Sequence, residues 1–192
     1  MSWKAPTRRK VMTLGAGACL IPLVSYFASE PARARMGSSY LDGLIAALRA
    51  TRKAVCLHAA SSLVALPVGA PSYDLHLRRA ELTLSDVTLI AGELFHGRQG
   101  SGPQLHSLSM SYNPEITDMG VVQLVRAFPP SLTELGLVGC QLTDEAGVAL
   151  LSWCESAPYL RLICVEQNHF SRALKERLQD LTDHKKFLNV VV

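Results

Sequence analysis

Residues 132–151 read LTELGLVGCQLTDEAGVALL. Leu135 and Leu137 lie two positions apart, so their side chains enter the same face of a short strand. Thr143 and Asp144 are residue types that often begin helices, because their side chains accept hydrogen bonds from free backbone N–H groups. The apolar residues that follow have helical spacing. The stretch therefore predicts a strand, a turn and a returning helix.

The same pattern recurs along the chain with a nearly constant period. The opening leucines are spaced 28, 27, 28 and 28 residues apart, and they are Leu77, Leu105, Leu132, Leu160 and Leu188. Such a period is typical of proteins in which every repeat adds one strand and one helix to a continuous stack. The first copy is degenerate, since HGRQGSGP at residues 96–103 interrupts its helical side.

Each strand is followed by a turn position that holds Asn113, Cys140 or Asn168. An Asn side chain there can bond backbone groups of the adjacent loop that would otherwise be buried without a partner. Cys140, and Cys154 at the end of a helix, are expected to be buried as small apolar groups. The five cysteines of the chain include no C-x-x-C pair, so neither a zinc site nor a disulfide framework is predicted.

These residues resemble the leucine-rich repeats of the ribonuclease-inhibitor and cysteine-containing subfamilies, the latter found in F-box proteins. The resemblance implies an α/β fold, namely a short leucine-rich repeat solenoid of about four repeats with parallel strands and helices. Leu108, Leu135 and Ile163 should then lie on neighbouring parallel strands. The architecture is also similar to that of the mitochondrial ATP synthase subunit s family, whose members and relatives are linked to assembly or coupling of respiratory complexes.

Residues 1–35 form a basic N-terminal region with six basic residues and one acidic residue, which leaves residues 36–192 with a net charge of −2. Residues 11–28 contain no charge over 18 positions, near the lower limit for a transmembrane helix. A retained membrane-anchor helix, a cleaved twin-arginine signal helix based on TRRKVM at 7–12, and an organellar presequence all fit. Contact with a lipid bilayer through residues 11–28 is expected for the anchor.

Residues 36–70 are predicted to form a capping helix and a linker. Ser38 and Ser39 can begin a helix, and Leu41, Leu44 and Leu48 have helical spacing. A stack of repeats needs such a cap, because its first repeat exposes an apolar end. The repeat domain is predicted to occupy residues 71–192.

A leucine-rich solenoid offers partners its concave strand surface, which consists of the residues that alternate with the buried ones. The predicted partner-binding residues are Arg79, Glu81, Thr83, Ser107, Ser109, Ser111, Glu134, Gly136, Val138, Leu162, Cys164 and Glu166. Most of the central residues are small, which would let a partner backbone approach closely. Cys164 is expected on this face and is the first thiol to test for reactivity.

The sequence contains no pattern typical of an enzyme. The six histidines are scattered without an H-E-x-x-H motif, and the glycines form neither a phosphate loop nor a dinucleotide fingerprint. We therefore expect no catalytic residues, no cofactor, no metal and no small-molecule substrate. A nearly neutral body without a basic stripe also argues against nucleic-acid binding.

The sequence and its resemblance favour a non-catalytic, membrane-tethered interaction subunit. Its expected partners are protein subunits of a larger, respiratory-type membrane complex, and its expected location is the mitochondrial inner membrane. Two alternatives remain open at this point: a periplasmic binding protein exported by the bacterial twin-arginine route, and a substrate-recognition adaptor of the F-box type.

Overall fold

The computed structural model of the protein describes residues 40–98 and 100–192. The basic region 1–35, with the predicted membrane or signal segment 11–28, lies outside these residues. In the part of the chain that is described, no helix is long and apolar enough to cross a bilayer.

Six α-helices and five β-strands make up these described residues. The helices are α1 (Tyr40–Ala50), α2 (Ala54–Val64), α3 (Leu84–Gly97), α4 (Thr117–Ala127), α5 (Asp144–Ser156) and α6 (Arg172–His184). The strands are β1 (Ser72–His76), β2 (Gln104–Ser109), β3 (Glu134–Gly136), β4 (Leu162–Cys164) and β5 (Asn189–Val191). From β1 onwards strands and helices alternate, which confirms the predicted α/β class.

The five strands form one parallel sheet in chain order, β1-β2-β3-β4-β5. Leu108 pairs with Leu135, Leu135 with Ile163, and Ile163 with Val190. Parallel neighbours need a crossover connection, and α3 to α6 supply the four crossovers. Because such crossovers are almost always right-handed, a chain-ordered sheet collects its helices on one face. The expectation for Leu108, Leu135 and Ile163 is confirmed.

The core lies between this sheet face and the helices. Its sheet side consists of two rows of buried residues that cross the strands, and they are Leu75, Leu108, Leu135 and Ile163 in one row and Leu77, Met110, Leu137 and Val165 in the other. Leu124, Leu150 and Leu178 face them from α4, α5 and α6 and are fully buried. Each buried aliphatic side chain stabilises the fold by about 1.5–3 kcal/mol relative to exposure. These rows therefore hold together the successive units, where a unit is one strand with the helix that follows it.

The Asn residues after β2 and β4 satisfy backbone groups at the end of the sheet. The Asn168 side chain donates to the carbonyls of Leu137 and Val165, both at 2.8 Å, and accepts from the N–H groups of Cys140 at 3.0 Å and Leu142 at 3.1 Å. Asn113 donates in the same way to Leu77 and Met110. The predicted role of this turn position is confirmed.

Neighbouring helices are linked where they begin. Thr143 caps α5, and its N–H and hydroxyl both donate to the Asp118 carboxylate of α4, at 2.8 and 2.7 Å. Ser171 caps α6, and its N–H donates to the Asp144 carboxylate of α5 at 2.7 Å. Hydrogen bonds from the side chain and backbone of Ser171 lower the pKa of Asp144 below its usual value. The cap of α5 therefore also connects it to α4, and the cap of α6 connects it to α5.

The N-terminal cap consists of two helices, whereas the sequence predicted one. The helical conformation is interrupted at Arg52, which has a φ of 57°. Beside it, the Thr51 hydroxyl donates to the Leu48 carbonyl at 2.8 Å. Lys53 then contacts the start of α3, because its Nζ donates to the Glu81 carbonyl and lies 3.4 Å from the Asp86 carboxylate. This interruption between the two helices lets α1 pack on α3 while α2 contacts β1.

The position of the first strand differs from its prediction. The Leu77 N–H donates to the Ser109 carbonyl at 2.7 Å, as the Met110 N–H does to Gly136 at 2.9 Å, so Leu77 corresponds to Met110 and not to Leu105. Leu75 lies 33 residues before its partner Leu108, whereas the next pairs are 27 and 28 residues apart. The first unit is longer because α3 has 14 residues and a loop follows it. β1 therefore ends before the strand that the repeat alignment predicted.

Candidate functional site

The candidate site is the sheet face opposite the helices, called here the outer sheet face. Its residues alternate with the buried rows along each strand. Each of β1 to β4 contributes two residues of its own and one that directly follows it. They are Asp74, His76 and Arg78; Ser107, Ser109 and Ser111; Glu134, Gly136 and Val138; and Leu162, Cys164 and Glu166. Nine of the twelve predicted residues lie on this face.

Arg79, Glu81 and Thr83 do not lie on this face, so their predicted strand positions were wrong. Arg79 and Glu81 belong to the turn after β1, with φ values of 52° and 56°. Thr83 caps α3 through a reciprocal pair of hydrogen bonds with Asp86. The error follows from the misplaced first strand, which shifted the alternation into the turn.

The residues that replace them are Asp74, His76 and Arg78. All three are exposed. The signal that identifies them is the period-two run Tyr73-x-Leu75-x-Leu77, whose three apolar side chains are buried with at most 4% exposure. The intervening residues must therefore point to the opposite face.

The middle of the outer sheet face is small and polar. Ser109 is half-buried and Ser111 is buried, and the Ser111 hydroxyl accepts from the Val138 N–H at 3.1 Å. A Cβ added at Gly136 would come within 3.1 and 3.2 Å of the Ser109 and Ser111 hydroxyl oxygens. Any larger residue at position 136 would press on both hydroxyls, so only glycine fits here without displacing them.

Charged side chains lie on both sides of the outer sheet face. On the β1 side, the guanidinium of Arg78 stacks 4.5 Å from the centre of the Tyr112 ring, a favourable cation–π geometry. On the β3–β4 side lie the carboxylates of Glu134 and Glu166. The buried Oε2 atom of Glu166 has no hydrogen-bond partner among the described residues. Asp74 adds an exposed carboxylate on the β1 side, so only the β3–β4 side carries charge of a single sign.

Cys164 lies between these carboxylates and is half-buried, as expected for the open face. Burial raises the pKa of its thiol above the ordinary value of 9.0, and the negative charges of Glu166 and Glu134 raise it further. Since the thiolate is the reactive form, the surroundings suppress its reactivity. Cys140 and Cys154 are buried, as predicted, and burial raises the pKa of Cys154 to about 12.

One pair on the outer sheet face has the residue types of nucleophilic catalysis. The Ser107 hydroxyl lies 3.5 Å from the His76 Nε2, at the outer limit of a hydrogen bond. An activated serine also needs a third group that orients the histidine, and His76 has no other hydrogen-bond partner among the described residues. Among the described residues the pair therefore has no third group that orients the His76 ring. The described residues also contain no cluster of three or more His, Cys, Asp or Glu side chains that could hold a metal ion.

Comparison with known proteins adds no identification to this geometry. No protein-family model matches the chain, and no curated protein sequence matches it significantly.

Proposed function

We propose that this protein is a short leucine-rich repeat solenoid that works as a non-catalytic interaction subunit. In this proposal residues 11–28 tether it to a membrane, and the outer sheet face binds protein subunits of a larger, respiratory-type complex as an accessory or assembly component. The mitochondrial inner membrane is the proposed location, on the resemblance to the ATP synthase subunit s family.

The observation that carries the proposal is the pairing of a continuous core with an open face. Leu108, Leu135 and Ile163 stack on adjacent strands with no more than 1% exposure, while the intervening side chains face away from the helices. The small residues around Gly136 and the carboxylates of Glu134 and Glu166 supply shape and polarity that a protein partner can match. The 27- and 28-residue spacing of the strand pairs supports the leucine-rich repeat assignment.

A charge reversal on the outer sheet face tests the binding surface. Glu134 is exposed and has no ion pair among the described residues, so Glu134→Arg should fold normally. We expect it to reduce the recovery of co-purifying membrane-complex subunits by at least about tenfold, because a like charge facing a partner costs several kcal/mol. The measurement is quantitative mass spectrometry after affinity purification of the tagged full chain in mild detergent.

Asp180→Arg is the matched control, because it makes the same change in charge. Asp180 is exposed on α6, which belongs to the helical side of the sheet and not to the outer sheet face. Equal recovery with Glu134→Arg and Asp180→Arg would contradict binding through the outer sheet face. Recovery of ubiquitin-ligase components would favour the adaptor. A native chain that begins near Arg35, measured by intact mass, would contradict the membrane tether.

A further inference from the structure

A second surface of the molecule carries features that the core and the outer sheet face do not use. A groove of about 530 Å³ lies where α3, α4 and α5 end. It is called here the aromatic groove and is lined by Phe95, Arg98, Arg126, Phe128, Trp153 and Pro158, among others. Three consecutive units contribute to it.

The apolar lining of the aromatic groove includes aromatic rings left open to solvent. Phe95 is 50% exposed, although its neighbour Leu94 supplies the core contact of this turn of α3. Phe128 and Trp153 pack together with ring centroids 4.7 Å apart, and Trp153 is half-buried. Exposed aromatic side chains grouped around a concave floor are the usual composition of an interaction hot spot.

Side chains near the groove donate to several carbonyls at the helix ends. The Arg98 guanidinium donates to the Arg126 carbonyl at 2.8 Å, and the Ser156 hydroxyl donates to the Trp153 carbonyl at 2.9 Å. The Lys185 ammonium donates to the Ala157 carbonyl at 2.7 Å. These contacts offset the partial negative charge of helix C-termini. The groove also offers side-chain donors that no described residue uses.

Those donors belong to Arg98 and Arg126. The Arg98 guanidinium stacks 4.7 Å from the centre of the Phe95 ring and uses one donor on Arg126, out of five that a guanidinium carries. Arg126 is exposed, and neither arginine forms an ion pair within the described residues. Among the described residues no carboxylate lines the groove, and Glu155 of α5 is exposed outside it. A partner here meets aromatic surface edged by two unpaired positive charges.

We infer that the aromatic groove docks a segment of a partner protein that presents a large apolar side chain flanked by carboxylates. The apolar side chain fits against Phe95 and Trp153, and the carboxylates accept hydrogen bonds from Arg98 and Arg126. A concave floor with a buried Phe128 suits a side chain that enters it, whereas insertion into a lipid surface requires aromatic rings that protrude. This docking site is separate from the outer sheet face.

The inference is tested by selecting peptides from a random phage-displayed library that bind the full chain in detergent. Peptides that also bind the Phe95→Ala or Arg126→Glu variant are removed by counter-selection. Both positions are exposed and outside the core, so both variants should fold. We expect wild-type-dependent peptides to be enriched in Asp or Glu around Phe, Leu or Trp. Their affinity, measured by fluorescence polarisation, should fall at least about tenfold with either variant and should weaken with added salt.

Phe187→Ala and Arg172→Glu are the matched controls, because both residues are exposed and neither lines the groove. They should leave the affinity unchanged, as should Glu134→Arg, which separates this site from the outer sheet face. Selection of basic peptides, or of none that depends on Phe95 and Arg126, would overturn the inference. Binding to phosphatidylserine nanodiscs that Phe95→Ala abolishes, without peptide selection, would overturn it in favour of a lipid surface.

Discussion

Asn168 lies at the point where the sheet ends and the chain turns back towards α6. Its amide bonds two carbonyls and two N–H groups contributed by two successive units. Cys140 holds the same position one unit earlier, and its thiol lies 3.4 Å from the Met110 carbonyl and 3.5 Å from the Val138 carbonyl. A thiol is a weak donor, so equivalent positions contribute unequally to stability.

Replacement of Asn168 by Ala should therefore be costly. Four backbone groups would lose their partner in a buried turn, and we expect the free energy of unfolding to fall by roughly 3–5 kcal/mol. Cys140→Ala is the control and should cost only about 1 kcal/mol, because it removes a small apolar group. Urea denaturation of the two variants measures the difference; equal losses would show that the Asn hydrogen bonds add nothing beyond burial.

The thiol of Cys164 gives a second prediction at this scale. Because its pKa is raised above 9.0, little thiolate exists at pH 7, and alkylation by iodoacetamide should accelerate as the pH rises through 9 and beyond. Removing negative charge lowers this pKa, so Glu134→Gln combined with Glu166→Gln should increase the alkylation rate at pH 8. Peptide mass spectrometry follows each cysteine separately.

Two outcomes would contradict this interpretation of Cys164. An unchanged rate in the double variant would mean that the carboxylates do not affect the thiol. Modification of Cys154 before Cys164 in the folded protein would contradict the burial that raises the pKa of Cys154 to about 12. Asp180→Asn, a charge removal on α6, should leave the rate at Cys164 unchanged.

At the scale of the element, close packing of successive helices depends on glycine. A Cβ at Gly147 in α5 would overlap the Cδ2 atom of Leu174 and lie 3.2 Å from the Phe170 ring. Leu174 and Phe170 are both buried, so neither can move aside freely. By contrast, a Cβ at Gly92 in α3 would meet no atom within 4 Å. The two glycines are thus not equivalent, although both lie inside helices.

Alanine substitutions at these two glycines should have opposite effects. Gly147→Ala forces α5 and α6 apart, and we expect a loss of roughly 1–3 kcal/mol in unfolding free energy. Gly92→Ala should stabilise the protein by about 0.5–1 kcal/mol, because alanine favours the helix and restricts the unfolded chain. Thermal unfolding of both variants is the measurement, and a shift in the same direction for both would contradict this account of the α5–α6 contact.

At the scale of the whole molecule, the sequence predicted β2, β3 and β4 in their correct register, and β1 incorrectly. Leu108-x-Met110 and its later counterparts are period-two pairs within units of nearly equal length. Leu77-x-x-Ala80-x-Leu82 resembles the same template, and all three residues are buried. Leu77, however, extends β1 along the sheet, whereas Ala80 and Leu82 are buried after the chain has turned. Periodicity cannot separate these cases when one unit is longer than the rest.

The aromatic groove could not be predicted from the sequence for a different reason. Phe95, Phe128 and Trp153 belong to three units, and each occupies a position near the end of a helix where helical spacing no longer distinguishes core from surface. Only the lateral contact of α3 with α4 and of α4 with α5 brings these rings together. The alternation rule predicted most of the outer sheet face, because alternation acts within a single strand.

The chain-ordered sheet has a consequence for how the protein is made. Every strand pairs with the strand that precedes it in the chain, so a polypeptide leaving the ribosome never waits for a distant C-terminal segment to complete a layer. Each new unit finds its docking surface already in place, and folding can keep pace with synthesis from the N-terminal side.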